Sequence, residues 1–191
     1  MDIKNTYNVY KTIIEMLKDR KYSVSKDIDY EEFIVMYEEN NYNITDDNDK
    51  IHVSFYKDSK TFSKKDLETM VQNIKELFNE DINIIIILKD KPNAIIEKEL
   101  VNNLYKNVEI FLFKNLVFNI TKHEDMPEFI LLNENEIKEI ADKYDTKITK
   151  FPKMLSIDPI AKYYGVKSGG MFKIIRKSIA SGEITTYRYV V

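Results

Sequence analysis

Residues 158–178, DPIAKYYGVKSGGMFKIIRKS, carry the local signals that decide how the last part of the chain folds. Asp158 can accept hydrogen bonds from the free N–H groups at a helix start, and Pro159 suits the first helical position. Gly165 can adopt the left-handed conformation that stops a helix. The stretch therefore predicts one short helix with a signal at each end.

A β-hairpin is expected to follow this helix. Residues 171–176 are rich in β-branched and aromatic side chains, and Ser181-Gly182 favours a turn into a second strand at 185–191. Upstream, Asn133 with Glu136 has the pattern of a capping box for a helix that runs to Tyr144. These elements together predict a small α+β module.

Three helices are predicted in the first 80 residues. Apolar residues at helical spacing over 7–17 indicate the first, and Ser25 is the expected cap of a second that closes at Asn40-Asn41. Ser63 with Asp66 approximates a capping box for the third. The third helix is expected to bury Leu67, Met70, Val71, Ile74, Leu77 and Phe78 on one face.

Strand patterns alternate with these helices. A polar loop at 45–50 precedes residues 51–56, which alternate as in a half-buried strand, and 82–88 is an isoleucine run typical of a strand covered on both faces. A helix from Pro92 and a strand at 108–113 follow. This order implies crossover connections and at least partly parallel pairing, so the sequence predicts an α/β layer structure.

Composition limits the class of protein. The chain has 191 residues, of which 43% are apolar, and it has no cysteine, so a buried core is expected and disulfides and thiolate metal sites are excluded. No apolar run reaches the roughly 20 residues that a membrane span needs, and the N-terminus lacks the pattern of a secretion signal. The sequence thus predicts a globular protein with no membrane partner.

The net charge of −3 hides an asymmetry along the chain. From residue 147 onward, nine basic residues stand against only Asp158 and Glu183, which gives this segment a net charge of +7 and the remainder −10. A segment this basic is attracted to polyanions or to an acidic protein surface. The alternative interpretation is a solvated surface with dispersed lysines.

Three strings of residues carry a resemblance to a known family: FPKMLSIDPIAKYYGVKSGG (151–170), FKIIRKS (172–178) and TYRYV (186–190). They resemble the C-terminal assembly domain of the fifth-largest subunit common to eukaryotic RNA polymerases I, II and III, and the archaeal counterpart of that domain. LVFNITKHEDMPEFILL (116–132) is similar to the opening of the same domain, where a strand carries a His and then a Pro, here His123 and Pro127. A role in packing and hydrogen bonding within the fold is expected for His123.

The elements before residue 119 look like the N-terminal jaw domain of the same polymerase subunit. The resemblance therefore implies an α/β protein with a restriction-endonuclease-like jaw domain at 1–118 and a small α+β assembly domain at 119–191. It implies a non-catalytic structural subunit of DNA-dependent RNA polymerase without cofactors, docked on the largest subunit with the jaw near downstream duplex DNA.

The resemblance also implies a location in the nucleus. The abundance of Asn, Ile, Lys and Tyr without Trp suggests an A/T-rich genome, which fits a parasite or a large DNA virus. If the protein is encoded by a large DNA virus, we expect it in the viral factory or the virion.

Candidate interface residues cluster in the C-terminal module. Arg176 and Arg188 are the charges expected to dock, because a guanidinium can hold a carboxylate with two parallel hydrogen bonds. A salt bridge to an acid of the same chain is the equally open alternative. The full set of assembly-interface candidates is Asp158, Pro159, Tyr163, Tyr164, Gly165, Lys173, Arg176, Arg188 and Tyr189.

Two other functions are compatible with parts of the sequence. One is a free-standing nucleic-acid-binding protein that uses the basic C-terminal module. The other is a nuclease, for which Asp58-Ser59-Lys60 is the best match to the (D/E)-x-K pattern, although no acid lies in the strands predicted at 51–56 and 82–88 to complete a metal site. His52 and His123 are the only histidines, so an all-His zinc site is impossible. We therefore expect no nuclease activity.

Overall fold

The computed structural model describes residues 2–25, 28–57, 61–101, 105–178 and 182–191. The chain divides into two compact units, Met1–Phe118 and Asn119–Val191. In the described residues each unit has helices and a four-stranded sheet of its own, so the α/β class is confirmed. None of the described helices is both long and apolar enough to span a membrane.

The first unit is built on a mostly parallel sheet. Strands β2, β3 and β4 are parallel neighbours, and β1 is antiparallel to β2 at the edge. The predicted crossover order is confirmed, whereas β1 was missed because its second residue, Thr45, was assigned to a loop. The elements are α1 (Ile3–Asp19), α2 (Tyr30–Glu38), β1 (Ile44–Thr45), β2 (Ile51–Phe55), α3 (Lys64–Leu77), β3 (Asn83–Leu88), α4 (Ala94–Val101) and β4 (Val108–Leu112).

The sheet of the first unit is covered on both faces. Ile84 and Ile86 of β3 pack with residues of α3 and α4. On the opposite face, Arg20, directly after α1, pairs with Glu109 of β4. Residues 84–87, which alternate between the two faces, are all fully buried, so the isoleucine strand is covered on both sides, as predicted.

The expectation of a half-buried β2 was wrong. His52 and Ser54 are both buried, because they lie beside Ile84 and Ile86 on the face that α3 covers. The ring of His52 also packs against Phe78, with 5.0 Å between the centroids. Alternation in the sequence thus reflects side-chain type and not exposure.

Of two predicted helix starts, one is confirmed and the other is wrong. The capping box of Ser63 and Asp66 is present at α3 and confirms the prediction. The predicted cap Ser25 was wrong, since α2 begins after Asp29, whose carboxylate accepts the N–H of Glu32 at 2.8 Å. The hydroxyl of Ser25 instead donates to the Asp47 carboxylate.

Some predicted boundaries and faces also shift. Leu77, expected in the core, is 77% exposed because α3 ends there. The helix expected from Pro92 begins at Ala94, and β4 ends at Leu112, where a short 3-10 turn begins.

The second unit is a sheet with a helix on each face. Its strand order is β5-β7-β8-β6, in which β7 is antiparallel to β5 and β8, and β6 is parallel to β8. Phe172 and Ile174 pack with α6, whereas Met171 packs with Ile137 of α5 on the other face. The elements are β5 (Glu128–Leu131), α5 (Glu134–Lys143), β6 (Lys153–Met154), α6 (Pro159–Tyr163), β7 (Met171–Ser178) and β8 (Gly182–Val190).

The hairpin is longer than predicted, and one strand begins later. β7 extends to Ser178 and β8 starts at Gly182, while Ser181 of the predicted turn lies outside the described residues.

His123 does not lie on a strand: it follows a 3-10 turn, and β5 begins only at Glu128, after Pro127. Its side chain is exposed, and its Nδ1 accepts the N–H of Asp125. Of the packing and hydrogen-bonding role expected for His123, the hydrogen bond within the fold is therefore seen.

Candidate functional site

Helix α6 is held at both ends by the residues that the sequence singled out. The carboxylate of Asp158 accepts the N–H of Ile160 at 2.9 Å, and Pro159 is the first helical residue. At the other end Gly165 has φ 66°, and its N–H donates to the carbonyl of Lys162. Because both ends are fixed, the five-residue helix is a defined element despite its length.

Two of the candidate tyrosines, at the C-terminal end of α6, hold this helix against the rest of the unit. Tyr163 is buried, and the side-chain amide of Asn119 donates to its hydroxyl at 3.1 Å. Tyr164 is half-buried, and its ring packs against Phe172 of β7 at 5.6 Å between centroids. These contacts make both residues part of the unit's own packing.

The candidates on the hairpin differ in exposure. Tyr189 is half-buried against the α5 side of the sheet, and its N–H donates to the Pro152 carbonyl at 2.8 Å. Lys173 is half-buried opposite Tyr187, whereas Arg176 and Arg188 are exposed. Exposure thus leaves Pro159, Arg176 and Arg188 as the candidates with the most surface for a partner.

The candidate arginines form no ion pair with the described acids. Arg188 donates to the Lys153 carbonyl at 3.4 Å, and Arg176 stands across from Ile184. Neither contacts a carboxylate in the part of the chain that the structure describes. The alternative of an internal salt bridge is therefore not seen there.

An exposed apolar segment leads into the first residue of α6, and sequence reasoning missed its two aliphatic residues. Leu155 is 59% exposed and Ile157 is 71% exposed, and they are followed by the exposed Pro159. Between them, the N–H of Ser156 donates to the carbonyl of Val191, which ties the segment to the end of β8. We call Leu155, Ile157 and Pro159 the α6 flank. The available signal was two large aliphatic residues directly before a helix cap.

Comparison with known proteins places this unit in a family. The protein-family model described as RNA polymerase Rpb5, C-terminal domain, matches residues 118–190. These residues contain every helix and strand of the second unit. The subunit RPABC1 of DNA-directed RNA polymerases I, II, and III from Caenorhabditis briggsae is 31% identical over 145 residues, which cover 75% of this chain and 67% of that protein. The chain belongs to the Rpb5 family of RNA polymerase subunits.

Further relatives extend the match over the whole chain. RPABC1 of Caenorhabditis elegans is 29% identical over 204 residues, covering 97% of this chain and 95% of the relative. The rpabc1 subunit of Dictyostelium discoideum is 28% identical over 198 residues, covering 100% and 99%. The resemblance to the common polymerase subunit is thereby confirmed, while an origin in a parasite or virus stays a prediction.

The basic residues of this Rpb5-family chain do not form one surface. Lys173 and Lys177 lie on the α5 face of the sheet, whereas Arg176 and Arg188 lie on the α6 face, because neighbouring residues of a strand point to opposite sides. The whole second unit has twelve basic and ten acidic residues, a net charge of only +2. The excess from residue 147 onward is offset by acids on and around α5.

The first unit of this Rpb5-family chain offers no metal cluster in its described residues. No group of three or more His, Asp or Glu side chains that could hold a metal occurs among them, and Asp58-Ser59-Lys60 lies outside them. The acid of β4, Glu109, accepts two hydrogen bonds from Arg20 at 2.9 and 2.8 Å, and the Arg20 side chain is 5% exposed. The Glu109 carboxylate is therefore engaged in an ion pair within the first unit. The absence of nuclease activity stays a prediction.

Proposed function

We propose that this Rpb5-family chain is a non-catalytic structural subunit of DNA-dependent RNA polymerase. In this proposal the second unit is an assembly domain that docks on the largest subunit, and the first unit is a jaw domain near downstream duplex DNA. The relatives are named as subunits of DNA-directed RNA polymerases I, II, and III, which supports polymerase chains as partners and the nucleus as the location.

The observation that carries the docking proposal is the α6 flank. Large aliphatic side chains that stand exposed beside a rigid element are typical of a surface that another protein covers. The flank adjoins a helix fixed by Asp158 and Gly165, so its shape is set before a partner arrives. A preformed surface binds without the cost of ordering a loop.

Charge distinguishes this proposal from a free-standing nucleic-acid-binding protein. A non-specific nucleic-acid binder uses a basic surface that follows the phosphate backbone. Here the basic residues are divided between two faces of a unit with net charge +2, and the first unit carries seventeen basic and twenty-two acidic residues, a net charge of −5. This distribution favours a protein partner and a jaw that lies near DNA without wrapping it.

The test is affinity purification of the tagged full-length chain followed by mass spectrometry. We expect the largest polymerase subunit among the proteins recovered. Ile157→Asp should reduce that recovery, because a carboxylate on the α6 flank would be buried against the partner. Leu77→Asp is the matched control, since Leu77 is also highly exposed but lies in the first unit.

A second arm separates the two units. The fragments Met1–Phe118 and Asn119–Val191 are expressed singly and tested for binding to the largest subunit, and we expect only the second to be retained. Retention of the first fragment alone would reverse the assignment of the docking surface. If the full-length chain recovers no polymerase subunit but shifts duplex DNA with a steep salt dependence, the nucleic-acid-binding function is the correct one.

A further inference from the structure

The outer edge of β8 is open along most of its length. β7 pairs with β8 from Gly182 to Tyr189, but on the other side β6 pairs only with Tyr189 and Val190. In the described residues no strand therefore lies beside the outer edge from Gly182 to Tyr187. Residues 182–186 are exposed.

The direction of the backbone groups follows from the pairing. The N–H groups of Tyr189 and Val191 donate outward, to the carbonyls of Pro152 and Met154, whereas the N–H of Val190 donates inward, to Gly170. In an antiparallel strand the backbone N–H and C=O groups of successive residues face opposite neighbours. The backbone groups of the odd-numbered residues of β8 therefore face the outer edge. The N–H and C=O groups of Glu183, Thr185 and Tyr187 thus face away from β7.

A proline explains why β6 begins no earlier than Lys153. The next bond of the parallel ladder would run from the N–H of residue 152 to the carbonyl of Tyr187, but Pro152 has no N–H. The chain before Pro152 leaves the sheet through a 3-10 turn at Ile148–Lys150. The β8 edge, by which we mean the outward side of residues 183–187, is therefore left open by the sequence itself.

The β8 edge lacks the devices that usually protect an open strand. Such strands are commonly short, or carry lysine, proline or a bulge. β8 has nine residues without a proline, and its open part contains Ile184, which is 42% exposed, with Thr185 and Thr186. The one charge among residues 183–187, Glu183, stands across from Lys177. An open edge of good strand formers is suited to receive another strand.

The charges around the β8 edge indicate the chemistry of that strand. Basic side chains on β6, β7 and β8 outnumber the single acid, so an acidic segment is favoured electrostatically. Only β6 separates the edge from the α6 flank, because β6 pairs with Tyr189 and Val190 and Leu155 directly follows it. The basic residues are Lys153, Lys173, Arg176, Lys177 and Arg188.

We propose that the β8 edge accepts an extended, acid-bearing segment of a polymerase chain as an added strand. The partner pairs with the outward N–H and C=O groups of Glu183, Thr185 and Tyr187 and continues the sheet where β6 stops. Its acidic side chains meet the basic residues around the edge. This inference rests on the proposed function and specifies how the second unit holds its partner.

The test removes one outward N–H from the full-length chain. Thr185→Pro deletes a donor that the hairpin does not use, at the kind of edge position that tolerates proline. We expect the purified variant to keep the far-ultraviolet circular dichroism of the wild type and to recover about tenfold less of the polymerase chains, since a lost bond and the ring of the proline both oppose pairing. Thr185→Val is the matched control, because it changes the side chain and keeps the N–H.

A second measurement covers the case in which Thr185→Pro does not fold. Amide hydrogen exchange of the wild-type chain is compared free and in the purified polymerase complex. We expect the amides of Glu183, Thr185 and Tyr187 to gain protection in the complex. The N–H of Ile184 faces β7 and serves as the internal reference, already slow in the free chain.

The outcomes separate this inference from the proposed function. If the wild-type chain recovers no polymerase subunit, both are overturned. If the wild type and Thr185→Pro recover equal amounts, or the odd-numbered amides stay unprotected in the complex, only the strand addition is overturned. A free wild-type chain that sediments as a dimer, with Thr185→Pro a monomer, would show that a second copy takes the β8 edge and would also overturn it.

Discussion

Gly165 is the residue whose backbone conformation most directly determines the end of α6. Its φ of 66° is costly for a residue with a β-branched side chain. We expect Gly165→Val to lower the free energy of unfolding by at least ~1 kcal/mol, whereas Gly165→Asn should cost less because Asn tolerates this conformation. Urea denaturation of the three proteins measures the difference. Equal midpoints for wild type and Gly165→Val would show that the helix does not end there in solution.

The buried imidazole of His52 makes the stability of the first unit depend on pH. Burial lowers the pKa of His52 below its ordinary value of 6.5, and its Nδ1 lies 2.8 Å from the hydroxyl of Thr45. As the pH falls, the unfolded chain therefore binds a proton before the folded chain does. The stabilisation is fully present above the unfolded pKa and is lost as the pH falls from there towards the lower folded pKa.

Urea denaturation at pH 7.5 and pH 5.5 tests this effect. We expect the wild type to lose free energy of unfolding between these pH values, by at most about 1.4 kcal/mol per pH unit for one proton. His52→Gln should flatten this dependence, whatever its effect at pH 7.5. The same pH dependence in wild type and His52→Gln would rule out His52 as its source.

Helix α2 is capped by Asp29 and not by the expected Ser25. Asp29 accepts the N–H of Glu32, whereas Ser25 makes only an exposed contact with Asp47. We expect Asp29→Ala to cost about 1 kcal/mol of stability and Ser25→Ala to cost less. Thermal unfolding of both variants gives the comparison. A larger loss for Ser25→Ala would mean that the helix begins earlier than the structure has it.

The helices that were predicted correctly have their signals within a few residues. Ser63 with Asp66 and Asn133 with Glu136 each fix a helix start, and Asp158 and Gly165 fix the two ends of α6, all through contacts at short range. Such contacts can be read from the sequence because both partners lie in one local pattern. The two-residue strand β1 has too few residues to show a pattern, and it exists only because β2 lies beside it.

The sequence predicted burial only in part: the isoleucine strand β3 is covered on both faces as expected, but the exposure of several other side chains was wrong. His52 and Ser54 are covered because α3 crosses their side of the sheet, and Leu77 is exposed because the same helix ends there. In the candidate site, the role of Tyr163 depends on Asn119, 44 residues earlier in the chain. The α6 flank and the β8 edge likewise follow from which neighbours a segment has, and local spacing does not record neighbours.

Over the whole chain, the net charge differs between the two units of the fold. The first unit is acidic with a net charge of −5, and the second unit is close to balanced at +2 because acids near α5 offset the bases of the hairpin. An excess counted from an arbitrary residue therefore overstated the basic character of the second unit. Pairing between the basic hairpin and an acidic segment would weaken as salt is raised, while contacts of the α6 flank would be less sensitive.

The isoleucine strand β3 also matters when the first unit is not folded. Its six residues, NIIIIL, have no charge and no proline, a composition that stacks readily with copies of itself once the covering helices open. The acid Asp81 and residues 89–92, KDKP, flank it, as residues that slow such stacking often do. Damage to the core of the first unit would therefore appear in a cell as insoluble protein and reduced abundance, rather than as a pool of unfolded chains able to refold.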